Sequence, residues 1–267
     1  RTRREYCYNI LVSGLDDDNG GSDTNILVRF DVPNKRIDLV SLPRDTLLHN
    51  EYRNNKLNFA YAKGGTELLM EQIENLLGIP VDFYVTVNLK GFIALVDQID
   101  GVDFDIPINM DYDDPYQDLH IHFTKGPRHL NGQEAMEVVR FRHNNDGTGY
   151  GTEDIGRIGT QQAFLKAVAK QLLQIGNVKN IPALVDIFYT YVKTDLTTGN
   201  LVWLGNEALN IGTENIHFAT LPGDGSGYYN KQSVYVLDAQ ATCDLVNEAL
   251  NPYNEALTLE DMDILVP

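Results

Sequence analysis

Apolar positions along the chain change their period several times. Residues Tyr6–Leu15 read as a buried strand. Asn25–Val32 and Arg36–Leu42 alternate and are rich in Val, Ile and Leu, with the turn signal Pro33-Asn34-Lys35 between them, so they read as a hairpin. The period then becomes helical over Thr66–Leu77, through Leu68, Leu69, Ile73, Leu76 and Leu77, and stops at Gly78. Val81–Val87 predicts a strand, Leu89–Gln98 a helix and Val102–Ile106 another strand. Asp111–Gln117 is polar and aromatic and reads as a surface loop or short hairpin.

Asn131 is placed to N-cap a short helix through Met136. Asn144–Thr152 carries three glycines and reads as a mobile loop. Asp154 begins the longest helix, through about Leu173. Two more α/β passes follow: helix Leu201–Leu209, strand Ile216–Leu221, strand Val234–Leu237 and helix Ala239–Leu250. No repeat and no linker divides the chain. The pattern predicts one α/β domain over 1–267, with a mixed, largely antiparallel sheet between helical layers.

Charge narrows the function. A net charge of −17 leaves no basic footprint for nucleic acid, and an anionic membrane surface would repel the body of the domain. Each arginine therefore stands out against a repelling background. Arg1, Arg3 and Arg4 form a basic tip that reads as a juxtamembrane stub or as a solvated terminus. No run of about eighteen apolar residues occurs. Cys7 and Cys243 admit one long-loop disulfide or two buried thiols.

Several signatures are absent, among them a G-x-x-x-x-G-K-[ST] loop, a G-x-S-x-G elbow and H-E-x-x-H. Asp16-Asp17-Asp18-Asn19-Gly20 fails as a calcium loop, because the twelfth position is Leu27. His120 and His122 share one side of a strand, but no further zinc ligand stands at a sensible spacing, so they read as a solvated face. Pro222–Gly227 resembles a phosphate cradle, but no helix follows it and it reads as a flexible loop.

Four constellations remain. Asp16 ends the first strand and Asp23 precedes the second. The pair could hold Mg²⁺ or Mn²⁺, divide acid and base roles, or cap turns of a polar loop. In Ser41-Leu-Pro-Arg-Asp45 the strand ends at proline and presents Arg44, either as a phosphate clamp or in a surface ion pair; Lys56 and Asn58 follow. In Val139-Arg-Phe-Arg-His143, an extended backbone sets Arg140 and Arg142 on one side, roughly 7 Å apart, whereas a continuing helix splays them by about 200°. In the long helix, Asp154, Arg157 and Gln161 form a polar head at the positive end of the dipole. Phe164 and Val168 continue the stripe of Arg157 and Gln161, either as core residues or as an apolar surface for a lipid chain.

These motifs occur in a familiar order: Asp16…Ser22-Asp-Thr24, Ser41-Leu-Pro-Arg-Asp45, Lys56-Leu-Asn-Phe-Ala-Tyr-Ala62 with Gly64-Gly65, Gly101-Val-Asp103, Leu130-Asn-Gly-Gln-Glu-Ala135 with Val139-Arg-Phe-Arg142, and Asp154-Ile-Gly-Arg157…Gln161. The set resembles the LytR-CpsA-Psr family over about residues 9–170. The resemblance implies a membrane-anchored, extracytoplasmic phosphotransferase that moves a teichoic acid or capsular polysaccharide from a polyprenyl-pyrophosphate carrier onto peptidoglycan. It implies an α/β/α core with a hydrophobic lipid pocket, and an N-terminal single-pass anchor that this chain does not contain, of which residues 1–5 would be the stub. It makes Asp16 and Asp23 the essential aspartates and Mg²⁺ ligands. Arg44, Arg140, Arg142, Arg157 and Gln161 become pyrophosphate-binding residues, with Lys56 near the head group and the lipid along Phe164 and Val168. Two positions depart from the family's pattern: Gly21 stands where many members have a basic residue, and Thr160 where an arginine usually precedes the glutamine. A polyprenyl-pyrophosphate hydrolase and a non-catalytic lipid-phosphate-binding module are the competing readings.

Overall fold

A computed structural model describes residues 1–15, 20–151, 153–175 and 181–267. They divide into two compact units: Arg1–Asn88 with Val192–Pro267, and Leu89–Tyr191. Among the described residues no helix is long and apolar enough to cross a membrane.

The first unit is built on strands β1 (Cys7–Leu15), β2 (Ser22–Asp31), β3 (Arg36–Leu42) and, after helix α1 (Leu57–Leu77), β4 (Phe83–Val87). The second unit follows: α2 (Leu89–Gln98), β5 (Val102–Ile106), β6 (Met110–Asp114), β7 (Leu119–Phe123), β8 (Gly126–Leu130), α3 (Gly132–Arg140), α4 (Glu153–Ile175) and α5 (Ile181–Tyr191). The chain then completes the first unit with β9 (Lys193–Thr194), α6 (Thr198–Ile211), β10 (Ile216–Thr220), β11 (Gly223–Tyr229), β12 (Gln232–Leu237) and α7 (Ala239–Ala249).

The sheet of the first unit has the order β10-β3-β2-β1-β4-β9. It is mixed: β10–β3 and β1–β4 are parallel, and the other three pairs are antiparallel. Alternation along each strand assigns two faces. Leu11, Leu27, Val40 and Leu42 pack with Leu69, Ile73 and Leu76 of α1 and Val246 of α7. On the opposite face of β1, Tyr8 and Ile10 line a cavity of about 210 Å³ with Phe83 and with Trp203 and Leu204 of α6. Helices thus cover both faces, as the α/β alternation predicts. The second unit encloses its own core, in which Val102, Phe104 and Ile106 of β5 meet Ala135 and Val138 of α3 and Phe164 of α4.

Most predicted elements lie within a residue or two of their expected bounds, and the differences have local causes. Helix α1 starts at Leu57 rather than Thr66 because two helical segments meet at Gly64 and Gly65, whose backbones leave helical geometry. Its stop at Gly78 is as expected: the residue is left-handed (φ 66°) and donates to Glu74 O. Helix α3 continues past Met136 because Val138 is buried on the same stripe as Ala135. Pro222–Gly227 is not a flexible loop. Gly223–Tyr229 is a strand paired with β12, with a bulge between Asp224 and Gly227. Its side chains carry no apolar alternation, so only backbone pairing reveals it. Within Asn144–Thr152, whose last residue lies outside the described residues, Asn144–Thr148 forms a hydrogen-bonded turn: Asn144 N donates to Thr148 O (2.7 Å) and Gly147 N to Asn144 O (3.0 Å). Both cysteines are buried free thiols.

Candidate active site

In the first unit the hairpin itself builds the site. Its register pairs Asn25 with Leu42 and Asp31 with Arg36. The same register, carried past the end of β3, sets Asp23 opposite Arg44. The side chains meet there: Arg44 Nη1 lies 2.6 Å from Asp23 Oδ1, and both are partly shielded, with about a fifth to a quarter of each side chain exposed. Pro43 cannot extend the ladder because it has no N–H. Its carbonyl instead accepts from Thr46 N (3.0 Å) and Thr46 Oγ1 (2.6 Å), which turns the chain. Arg44 O accepts from Asn58 N (3.0 Å) and Thr46 O from Leu57 N (3.0 Å), so the start of α1 is tied to this turn. Lys56, at the N-cap of α1, reaches Asp45 Oδ1 at 3.3 Å, and the same oxygen is 3.8 Å from Arg44 Nε.

The result is two cations interleaved with two carboxylates, Asp23–Arg44–Asp45–Lys56. Asp45 is the member that no motif role singles out in the sequence; its adjacency to Arg44 is the signal for it. Oxygen donors of the Asp23 type suit a hard cation such as Mg²⁺, which protein sites commonly hold through one or two carboxylates plus substrate phosphates. Asp16, the other expected ligand, lies outside the described residues.

In the second unit the motif residues lie on two helices and the segment between them. Helix α3 has a capping box: Asn131 Oδ1 accepts from Glu134 N (2.9 Å) and Glu134 Oε2 from Asn131 N (3.0 Å). The helix ends at Arg140, and Phe141 leaves it with ψ 135°. The exit is therefore extended, as one of the two alternatives required, but it begins one residue after Arg140. Arg140 Nη2 donates to Gln117 Oε1 (3.1 Å) in the β6–β7 turn, while Arg142 lies in the extended exit, next to the His143–Gly149 bridge.

Helix α4 opens with Asp154 and Arg157. Arg157 is 4% exposed, and its Nη2 donates to Asp154 Oδ1 at 2.6 Å. Gln161 Nε2 donates to Val139 O (3.2 Å), which ties α4 to the last turn of α3. Gly156 lets Tyr150 lie against the helix, since a Cβ there would fall 2.2 Å from Tyr150 Cβ. Thr160, standing where an arginine was expected, is buried and donates to Tyr150 Oη (2.6 Å). That position thus serves packing in this chain. Burial raises the Tyr150 pKa, against the bond from Thr160. Phe164 is enclosed between Phe92 and Phe104, with ring centroids 5.7 Å away in each case, and Val168 is half-buried against the same cluster.

The expected site residues thus fall into two groups. Asp23, Arg44 and Lys56 are brought together with Asp45 in the first unit. Arg140, Arg142, Arg157 and Gln161 belong to the second, where Gln161 joins the two helices and Arg157 is held by Asp154.

A model of the LytR_cpsA_psr family matches residues 3–251. The chain is 32% identical over 248 residues to a Bacillus subtilis protein named polyisoprenyl-teichoic acid–peptidoglycan teichoic acid transferase TagV; the match covers 88% of this chain and 61% of that protein. It is 32% identical over 244 residues to the Bacillus cereus protein with the corresponding name TagU, covering 90% of this chain and 76% of the relative. The chain thus spans less than two thirds of the length of TagV. Its fold matches the crystal structure of B. subtilis TagV with a TM-score of 0.77 at 26% identity, over 98% of this chain and 100% of that one.

Proposed function

The chain belongs to the LytR_cpsA_psr family, and from that premise we propose that it is a phosphotransferase that moves a glycopolymer of the teichoic acid or capsular polysaccharide type from a polyprenyl-pyrophosphate carrier onto peptidoglycan. The observation that carries this reading is the Asp23–Arg44–Asp45–Lys56 constellation, held by the hairpin register and the Pro43 turn. A guanidinium and an ammonium in an acidic protein are suited to a polyanionic head group, and the carboxylates beside them keep the cations oriented until substrate arrives.

In the proposed reaction a peptidoglycan sugar hydroxyl attacks the phosphorus nearer the glycan. The bond from that phosphorus to the bridging oxygen breaks, and polyprenyl phosphate leaves. The hydroxyl proton passes to a carboxylate, with Asp23 and Asp16 as the candidates. Arg44 and Lys56 stabilise the charge on the phosphoryl oxygens, the usual protein contribution to such transfers, and Arg140, Arg142, Arg157 and Gln161 are the family-motif candidates for binding pyrophosphate. Mg²⁺ or Mn²⁺ on Asp23 and Asp16 would supply further charge neutralisation. We assign the hydrocarbon tail to the apolar stripe of α4, where Val168 is half-buried and Phe164 anchors the helix to its core. Carrier and acceptor together place the reaction at the outer face of the cytoplasmic membrane.

The test is a transfer assay with a polyprenyl-pyrophosphate-linked glycan and peptidoglycan. Arg44→Ala and Arg142→Ala should each lower turnover by on the order of 10²–10³. Unchanged turnover in both overturns the assignment. Release of the glycan into water at the same rate with and without peptidoglycan would favour the hydrolase, and tight binding without turnover the non-catalytic module.

A further inference from the structure

The outward face of the β6–β7 hairpin, in the second unit, carries two facing pairs of ionisable side chains. The register sets Asp111 opposite His122 and Asp113 opposite His120. Met110, Leu119, Ile121 and Phe123 alternate with them and are buried, so these four polar side chains share the solvent side. From the sequence alone the two histidines lack further ligands; the partner strand supplies them.

The arrangement has a direction. One nitrogen of each ring faces a single oxygen: His120 Nδ1 lies 2.5 Å and His122 Nε2 3.2 Å from Asp113 Oδ1. The other nitrogen of each ring faces a separate carboxylate. His122 Nδ1 is 2.8 Å from Asp111 Oδ1, and His120 Nε2 is 3.4 Å from Asp118 Oδ1. Ligand atoms of Asp113, His120 and His122 all lie within 4.8 Å of one another. A tetrahedral ion with bonds of about 2.0–2.1 Å holds its ligands roughly 3.4 Å apart, so Asp113 Oδ1 must draw back from His120 Nδ1 by about an ångström while the other spacings adjust by about an ångström or less, which exposed side chains can do. A carboxylate on the far nitrogen orients the ring and strengthens it as a ligand, as is usual for metal-bound histidines.

The geometry points to a divalent transition-metal site on this hairpin, with His120 Nδ1, His122 Nε2 and Asp113 Oδ1 as ligands and water completing the coordination. Two imidazoles with one carboxylate select zinc or copper over magnesium. The hairpin also braces motif residues. Gln117 in its turn accepts from Arg140, and Asn144 and Asn145, just beyond Arg142, accept from Asp111 N and Asp113 N at 2.7 Å each. An ion on the outer face would therefore stiffen the strand pair to which the Arg140–Arg142 segment is attached.

Calorimetric titration of the protein with ZnCl₂ at about pH 7.5, where the imidazoles release protons to a metal, should show one saturable site per chain. Excess MgCl₂ should not displace the zinc. His120→Ala with His122→Ala should abolish that site, and Asp113→Asn should weaken it at least tenfold. Asp111→Ala, which frees the far nitrogen of His122, should weaken it by about 10–100-fold. Circular dichroism checks that each variant is folded, and Arg44→Ala should bind zinc as the wild type does. No saturable binding in the wild type, or unchanged binding in the folded double variant, overturns the proposal.

Discussion

Replacing Phe164 by alanine removes a ring that is 2% exposed and packed against Phe92 and Phe104 at interplanar angles of 47° and 64°. A phenylalanine buries about 150–250 Å², which at about 25 cal/mol per Å² is worth roughly 4–6 kcal/mol, part of which alanine retains. Each of the two ring pairs adds about 0.5–1.5 kcal/mol, and the cavity left behind relaxes only partly. The expected loss is about 3–5 kcal/mol. Native-state hydrogen exchange reads it where it occurs: the slowest amides of α3 and α4 should exchange about 10²- to several-thousand-fold faster. Fluorescence of Trp203, the single tryptophan, lies in the first unit and reports that unit separately. Phe164→Leu, which keeps most of the apolar volume, should cost only about 1–1.5 kcal/mol. If Phe164→Ala leaves those amides within tenfold of wild type, the ring is not a core element. The apolar stripe of α4 would then be free to serve a ligand along its whole length.

Two further outcomes are expected. Gly156→Ala drives a methyl group into the root of the Tyr150 side chain and breaks its bond with Thr160, so urea denaturation should show a loss of about 1–3 kcal/mol. His129 lies 2.7 Å from Asp103 Oδ1, and that bond raises its pKa above the ordinary value of about 6.5. A folded-state pKa above the unfolded one gives stabilisation that is fully present below about pH 6.5 and is lost as pH rises through the folded value. An NMR titration should place the His129 midpoint above that of a free imidazole and return it toward 6.5 in Asp103→Asn; a midpoint at or below 6.5 in the wild type would contradict the pairing.

Much of this protein is legible from local pattern. The bounds of α2 and β5 are those that periodicity predicts, because a ten-residue amphipathic helix and a five-residue alternating strand carry their whole signal within themselves. The β2–β3 register follows from the turn at Pro33–Lys35, and continuing it pairs Asp23 with Arg44; that half of the site is an arithmetic consequence of the hairpin. Strand β8 and helix α5 escaped. Gly126-Pro-Arg-His-Leu130 has one buried apolar residue and is a strand only because β5 pairs with it.

Most element types, the β2–β3 hairpin and the individual motifs that mark the family are legible locally, since each depends on residues near one another in the chain. The tertiary structure decided where those motifs act. Helix α3 holds Arg140 and releases Arg142 because burial of Val138 carries the helix one turn farther than its capping residues require. Phe164 belongs to the core because Phe92 and Phe104 close over it from other elements. His120 and His122 look like a solvated pair until strand pairing sets Asp113 and Asp111 opposite them. Phe92 and Phe104 lie 72 and 60 residues before Phe164, and even in the short β6–β7 hairpin it is cross-strand pairing, not local composition, that names the neighbour.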